Sequence, residues 1–133
     1  MAGVVVLDSS ALIALYSDSD PHHQWGLKLF LDTADNDLEM SALSFAEVLV
    51  HPTRNGTKSK FLRSIEGLGL RIADLPFDSA EELADLRAQT GLKMPDVVVL
   101  RQAMKSSAVL ATADQKLAKI ATAKELEVSS PQF

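Results

Sequence analysis

The chain has 133 residues, 47% of them apolar and 23% charged, which is about one domain's worth of protein with enough apolar side chains to bury a core. It contains no cysteine, so a disulfide framework and thiolate metal sites are excluded and any metal must be held by oxygen or imidazole. Thirteen Lys and Arg against eighteen Asp and Glu give a net charge of -5, which argues against a globally basic nucleic-acid-binding surface and leaves room for a local basic patch.

The first apolar run, Gly3 to Leu7, follows no cationic segment, and no stretch approaches the roughly 18 apolar residues of a membrane span. A single soluble domain over residues 1–133, cytoplasmic and without a membrane partner, is expected. Val4-Val5-Val6-Leu7 is predicted as a strand, followed by a helix that begins at Ser9 or Ser10 and carries Ala11 to Leu15. Asp20-Pro21 reads as a helix start, Asp as N-cap and Pro in first position, with Trp25, Leu27, Leu29 and Phe30 on the buried side up to about Leu31. Leu38 to Ser41 is the second strand. A helix from Leu43 to Val50 is expected to end before Pro52, and Gly56-Thr57 opens another carrying Phe61, Leu62, Ile65 and Leu68. Leu70 to Leu75 is the third strand. A helix from Ser79 to Gln89, capped by Asp78 or Ser79 and stopped by Gly91, precedes one from Pro95 to Met104. Ala108 to Ala111 is the fourth strand, Gln115 to Lys124 a helix, and Leu126 to Val128 a short fifth strand. Strands separated by helical crossovers imply a parallel sheet covered on both faces, an α/β three-layer domain. Such sheets bind ligands beyond the carboxyl ends of their strands, where strand order reverses.

Four acids occupy suggestive places. Asp8 ends the apolar strand, where it can cap the following helix or project from the sheet's carboxyl edge. Glu47 interrupts the apolar Leu43 to Val50 helix, either at a solvent-reaching rim or in need of a partner or cation. Asp96 falls in the first turn of its helix, where the macrodipole favours an anion, and Asp114 stands just past the fourth strand as a possible cap. Each has a sufficient structural explanation alone. Together, carboxylates converging from several strand ends repel unless a cation neutralises them, and oxygen-only ligands suit Mg²⁺ or Mn²⁺.

Val6-Leu7-Asp8-Ser9-Ser10-Ala11-Leu12-Ile13-Ala14, then Ala46-Glu47-Val48, then Lys93-Met94-Pro95-Asp96-Val97-Val98, then Ala111-Thr112-Ala113-Asp114, resemble the four acidic motifs of PIN-domain nucleases, and the small build is most similar to VapC-type toxins of toxin–antitoxin pairs. The resemblance covers nearly the whole chain. It implies a five-stranded parallel sheet of order 3-2-1-4-5 and endonucleolytic hydrolysis of RNA with Mg²⁺, Mn²⁺ being an alternative. On it, Asp8 and Asp96 are the principal metal ligands, Glu47 completes the shell or orients water, and Asp114 binds a second or weaker metal. Ser9 and Thr112 are candidates to hydrogen-bond the acids. A cognate antitoxin protein and a homodimer are implied as partners beside the RNA. Where some relatives carry a further acid three residues beyond the last, this chain has Leu117.

Arg54, Lys58, Lys60 and Arg63 form a run uninterrupted by acids, and Arg87, Lys93, Arg101 and Lys105 surround the third motif; these are the candidate RNA contacts. His22-His23 beside Asp18 and Asp20 is better read as a polar loop with a capped helix than as a metal site. Two other function classes remain: a non-catalytic PIN-fold module binding nucleic acid or protein, for which the acids are dispensable, and an aspartyl-phosphate enzyme using Asp8. The latter wants a second acid two residues on, where Ser10 stands.

Overall fold

Val4-Val5-Val6-Leu7 can only be strand or buried helix by its pattern, and the polar Asp8 that follows limits it to strand length; it forms β1 (Val4–Leu7) at the centre of one sheet in a computed structural model that describes residues 3–133. The chain continues through α1 (Ser9–Tyr16), α2 (His23–Asp32), β2 (Asp37–Ser41), α3 (Ala42–Arg54), α4 (Lys58–Ile65), β3 (Arg71–Ala73), α5 (Ala80–Thr90), α6 (Met94–Ser106), β4 (Val109–Ala111), α7 (Gln115–Ala123) and β5 (Val128–Ser129). All strand pairs are parallel and the order is β3-β2-β1-β4-β5, the order the resemblance implied. Val5 sits opposite Leu38 on one side and Val109 on the other, and Leu7 opposite Ala111.

Alternation along β1 divides the core in two. Val6 faces a cluster built from Leu83 and Leu86 of α5, Val97 to Leu100 of α6, Leu110, and Leu117 of α7. Val5 and Leu7 face the other, with Leu12 of α1, Leu29 of α2, Met40 of β2 and Val48 of α3, against which Phe61 of α4 packs. Helices therefore cover both faces, as a parallel sheet requires. Each fully buried Leu or Val contributes about 1.5–3 kcal/mol.

Several predicted boundaries shift. Asp20 does not cap α2: its carboxylate accepts the His22 N–H at 2.8 Å, closing a local turn that competes with helix, and α2 starts at His23. Pro52 lies inside α3 rather than beyond it, because it is buried and in the last turn, where the ladder resumes with Asn55 N–H to His51 O at 3.1 Å and Thr57 N–H to Pro52 O at 2.9 Å. The helix carrying Phe61 ends at Ile65, and Glu66–Leu68 continues as a single 3-10 turn. Before α5, Phe77–Ser79 is likewise a 3-10 turn, and the Ser79 hydroxyl donates back to Pro76 O instead of capping the helix. β3 is shorter than predicted since its neighbour β2 ends at Ser41, which turns to cap α3 by accepting the Ser44 N–H. β5 begins two residues late because Glu125 takes a left-handed conformation and the Leu126 N–H is used to close α7 on Ala121 O.

Two features were not foreseen. Glu39, buried in mid-β2, is paired across the strands with Arg71 and accepts from Gln102 Nε2 at 3.2 Å, so its charge is compensated. Gly26 brings α2 onto α1: a Cβ there would stand 2.8 Å from the Ala14 carbonyl carbon and the Leu15 nitrogen, both backbone. Gly26→Ala is expected to cost about 1–3 kcal/mol through this overpacking, read as a lower urea midpoint with an unchanged m-value.

Candidate active site: four carboxylates at the carboxyl edge

β1 and β4 are neighbours whose connections leave in opposite directions, so the reversal point lies between the loops that follow them. Asp8 follows β1 directly; its N–H donates to Ala111 O at 3.2 Å, and its side chain caps α1 by accepting the Ala11 N–H at 3.0 Å. The residue is only 5% exposed. Two hydroxyls complete its surroundings, Ser10 Oγ donating to Oδ1 at 2.5 Å and Thr112 Oγ1 donating to Oδ2. Each hydroxyl makes one bond across the loops and one within its own: Ser10 Oγ accepts from the Ala113 N–H of the β4 loop at 2.9 Å, while Thr112 Oγ1, which crosses by donating to Asp8, accepts from the Asp114 N–H of its own loop at 3.0 Å. Asp114 in turn caps α7 through the Leu117 N–H at 2.9 Å. The two strand-end loops are thus stitched together by two hydroxyl groups. Thr112 holds an acid as expected, whereas the serine doing so is Ser10; Ser9, the first residue of α1, has no side-chain hydrogen bond to the acids among the described residues.

Asp96 enters from the first turn of α6, half-buried, and Glu47 from the exposed face of α3. The four charges act on one another. Burial pushes the Asp8 carboxyl above the usual aspartate range against its three hydrogen bonds, and Asp114 adds to the rise. Burial also raises Asp96, with Asp114 and Asp8 adding repulsion, while Lys93 and Lys116 oppose it. Glu47 is raised by desolvation and by Asp96, and lowered by Lys93. Four elements distant in sequence therefore place one repelling carboxylate cluster at the reversal point.

The cations divide. Arg54 at the end of α3 and Lys58, Lys60 and Arg63 on α4 are exposed and form no ion pair among the described residues. Next to them, α1, α3 and α4 enclose a groove of about 340 Å³ with Glu47, Tyr16, His51 and Phe61 in its walls. Arg87 is exposed on the last turn of α5 and is not among the cations acting on Asp96 or Glu47. Arg101 and Lys105 do not face the acids either: they pair with Glu82 of α5 at 3.5 and 3.9 Å, since five and nine residues beyond Asp96 bring them round to another side of α6. Lys116, near Asp96, is the cation the sequence reading missed; its place in the first turn after Asp114 is the signal that marks it. His23 is used structurally, its Nδ1 lying 2.7 Å from Ala14 O.

The family model for the PIN domain matches residues 5–123. The chain belongs to the PIN-domain family. Among curated proteins, none matches it in sequence. Among solved structures, this PIN domain is similar to a chain of a toxin–antitoxin complex from Klebsiella pneumoniae, with TM-score 0.72 and 22% identity over 87% of this chain and 92% of that one. It is also similar to VapC20 of Mycobacterium tuberculosis, described as a Sarcin-Ricin loop cleaving toxin, with TM-score 0.73 and 15% identity over 87% and 94%. A third is VapBC2 from Rickettsia felis bound to a promoter DNA fragment, with TM-score 0.70 and 14% identity over 97% and 99%.

The donor set of this PIN domain suits a hard divalent cation. All four groups are carboxylates, Asp8 is buried with no cationic partner among the described residues, and the mutual repulsion is what such an ion relieves. No three acidic or imidazole side chains among the described residues are gathered into a ready chelate.

Proposed function

We propose that this PIN domain is a metal-dependent endoribonuclease and the toxin of a type II toxin–antitoxin pair. The observation that carries the reading is the buried Asp8, without a cationic partner among the described residues, in a set of mutually repelling carboxylates drawn from four separate elements. Asp8 and Asp96 hold Mg²⁺, or Mn²⁺ in its place; Glu47 completes the shell or orients the attacking water, and Asp114 serves a second or weaker ion. The ion supplies neutralisation of phosphoryl charge and lowers the pKa of water, so no histidine base is required. Ser10 and Thr112 fix the orientation of the Asp8 carboxylate, and Asp114 holds the start of α7 against it. In-line attack leaves a 5′-phosphate and a 3′-hydroxyl. Arg54, Lys58, Lys60 and Arg63 carry the RNA strand past Glu47 by phosphate contacts that give affinity without sequence choice.

The toxin role and the cognate antitoxin are supported by the likeness to toxin–antitoxin assemblies; the homodimer and a cytoplasmic location rest on the family resemblance of the sequence alone. The antitoxin's cationic segment neutralises the same acids that hold metal. The decisive experiment is incubation of purified protein with total cellular RNA with and without Mg²⁺, followed by end mapping. Internal cleavage that leaves 5′-phosphate termini is expected only when Mg²⁺ is present; cleavage that survives EDTA would overturn the metal mechanism. In the same preparation, Mg²⁺ at 100 times its Kd is expected to stabilise the fold by about 2.7 kcal/mol, a gain EDTA removes. An unchanged melting temperature across a Mg²⁺ titration would count against binding at the cluster.

A further inference from the structure

Two cations approach the carboxylate cluster from different elements. Lys93 immediately precedes α6, three residues before Asp96, and Lys116 lies in the first turn of α7, two residues after Asp114. The Lys116 ammonium reaches across to Gly91 O at 3.4 Å, which brings it over the short connection that leads into Lys93. That connection is anchored: Leu92 is 1% exposed in the core beneath α5 and α6, and its N–H donates to Thr90 Oγ1 at 3.2 Å. Both lysines are themselves exposed.

Both charges act on Asp96, and Lys93 acts on Glu47 as well, yet neither lysine forms an ion pair among the described residues. These two stop short, and among the described residues a single long contact to Gly91 uses one of the six N–H donors they carry together. The arrangement presents free ammonium donors beside, not on, the carboxylates, from two pieces of backbone held by packing.

We propose that Lys93 and Lys116 form a phosphate subsite flanking the carboxylate cluster, which grips a backbone phosphate adjacent to the one being cleaved. The subsite rests on the hydrolase reading of the cluster. It fixes where the strand lies without reading its bases. Because that phosphate keeps its charge throughout the reaction, the grip is equal in ground and transition states, and its loss falls on KM rather than kcat.

The test measures cleavage of one defined single-stranded RNA, in Mg²⁺ and over a range of monovalent salt, by wild type, Lys93→Met, Lys116→Met, the double variant and the two Lys→Arg variants. The expected result is a KM raised about tenfold in the double variant and a log–log salt slope reduced by about 0.7 for each lysine lost, with the slope restored by arginine. Mg²⁺ affinity is read without RNA from the rise in melting temperature. Lysines that serve only to neutralise the acids would tighten Mg²⁺ when removed and leave KM and salt slope unaltered, which overturns the subsite while RNA cleavage persists. Absence of any cleavage by the wild type removes the hydrolase reading and the subsite with it.

Discussion

Asp8→Asn is expected to reduce Mg²⁺-dependent RNA cleavage by at least about 100-fold and, in EDTA at neutral pH, to melt at a higher temperature than the wild type. The activity loss follows from removing the most buried charge of the cluster. The stability gain follows from the same charge. Asparagine is as good an N-cap as aspartate, its carbonyl keeps the Ala11 N–H, and the Ser10 and Thr112 hydroxyls rotate to suit the amide. What disappears is a carboxylate that burial and Asp114 hold above its ordinary value of 3.8. With the folded-state value raised, the folded protein retains a proton that the unfolded chain has already released. Stability therefore falls as pH rises from about 3.8 through the raised folded-state value and stays lost above it. Asp96 and Glu47 are shifted in the same direction and add to the fall. Melting curves against pH in EDTA check this: the wild type loses more stability than Asp8→Asn on going from acid to neutral pH. A variant that melts lower than wild type at neutral pH would sink the electrostatic account, and undiminished cleavage would sink the metal-holding role.

Thr112→Val is expected to lower the cleavage rate by about 10–100-fold and to cost about 1–3 kcal/mol of stability. The substitution keeps the shape of a fully buried side chain and deletes one hydroxyl. That hydroxyl donates to Asp8 and accepts from the Asp114 N–H, so its loss frees one acid to turn and leaves a donor of the α7 start unsatisfied. Urea denaturation measures the second effect and initial rates the first. Thr112→Ser, which restores the hydroxyl, separates positioning from packing: it should recover most of the rate. Wild-type cleavage by Thr112→Val would show that the hydroxyl bridge does not position Asp8.

Much of the candidate site was legible because strand-end acids are marked by where an apolar run stops. Asp8 closes Val4 to Leu7 and Asp114 follows the strand ending at Ala111, so both were placed at one edge by counting alone. Asp96 was placed by Pro95 before it at a helix start. Glu47 was less clear, since an acid in Leu43 to Val50 is either strained inside or at a rim; the structure exposes it. The acid that is buried without being expected to be is Glu39, whose partner Arg71 lies 32 residues on and is brought opposite only by strand register. Choosing Ser10 over Ser9 likewise required Ala113, 103 residues away. Arg101 and Lys105 were assigned to the site by nearness to Asp96 in sequence, and helical rotation carries them to Glu82 instead.

The sequence by itself determined the alternation of strands and helices, the two-sided burial of a parallel sheet and the four acids at its carboxyl edge, because each depends on local periodicity or on the residue that ends a run. Strand order in the sequence reading came from the family resemblance. Only the tertiary structure decided how long the edge strands run, which hydroxyls hold Asp8 and which cations face Asp96. Those depend on register and on loops from opposite ends of the chain meeting at the reversal point, where hydrogen bonds and charges act through space over a few ångströms.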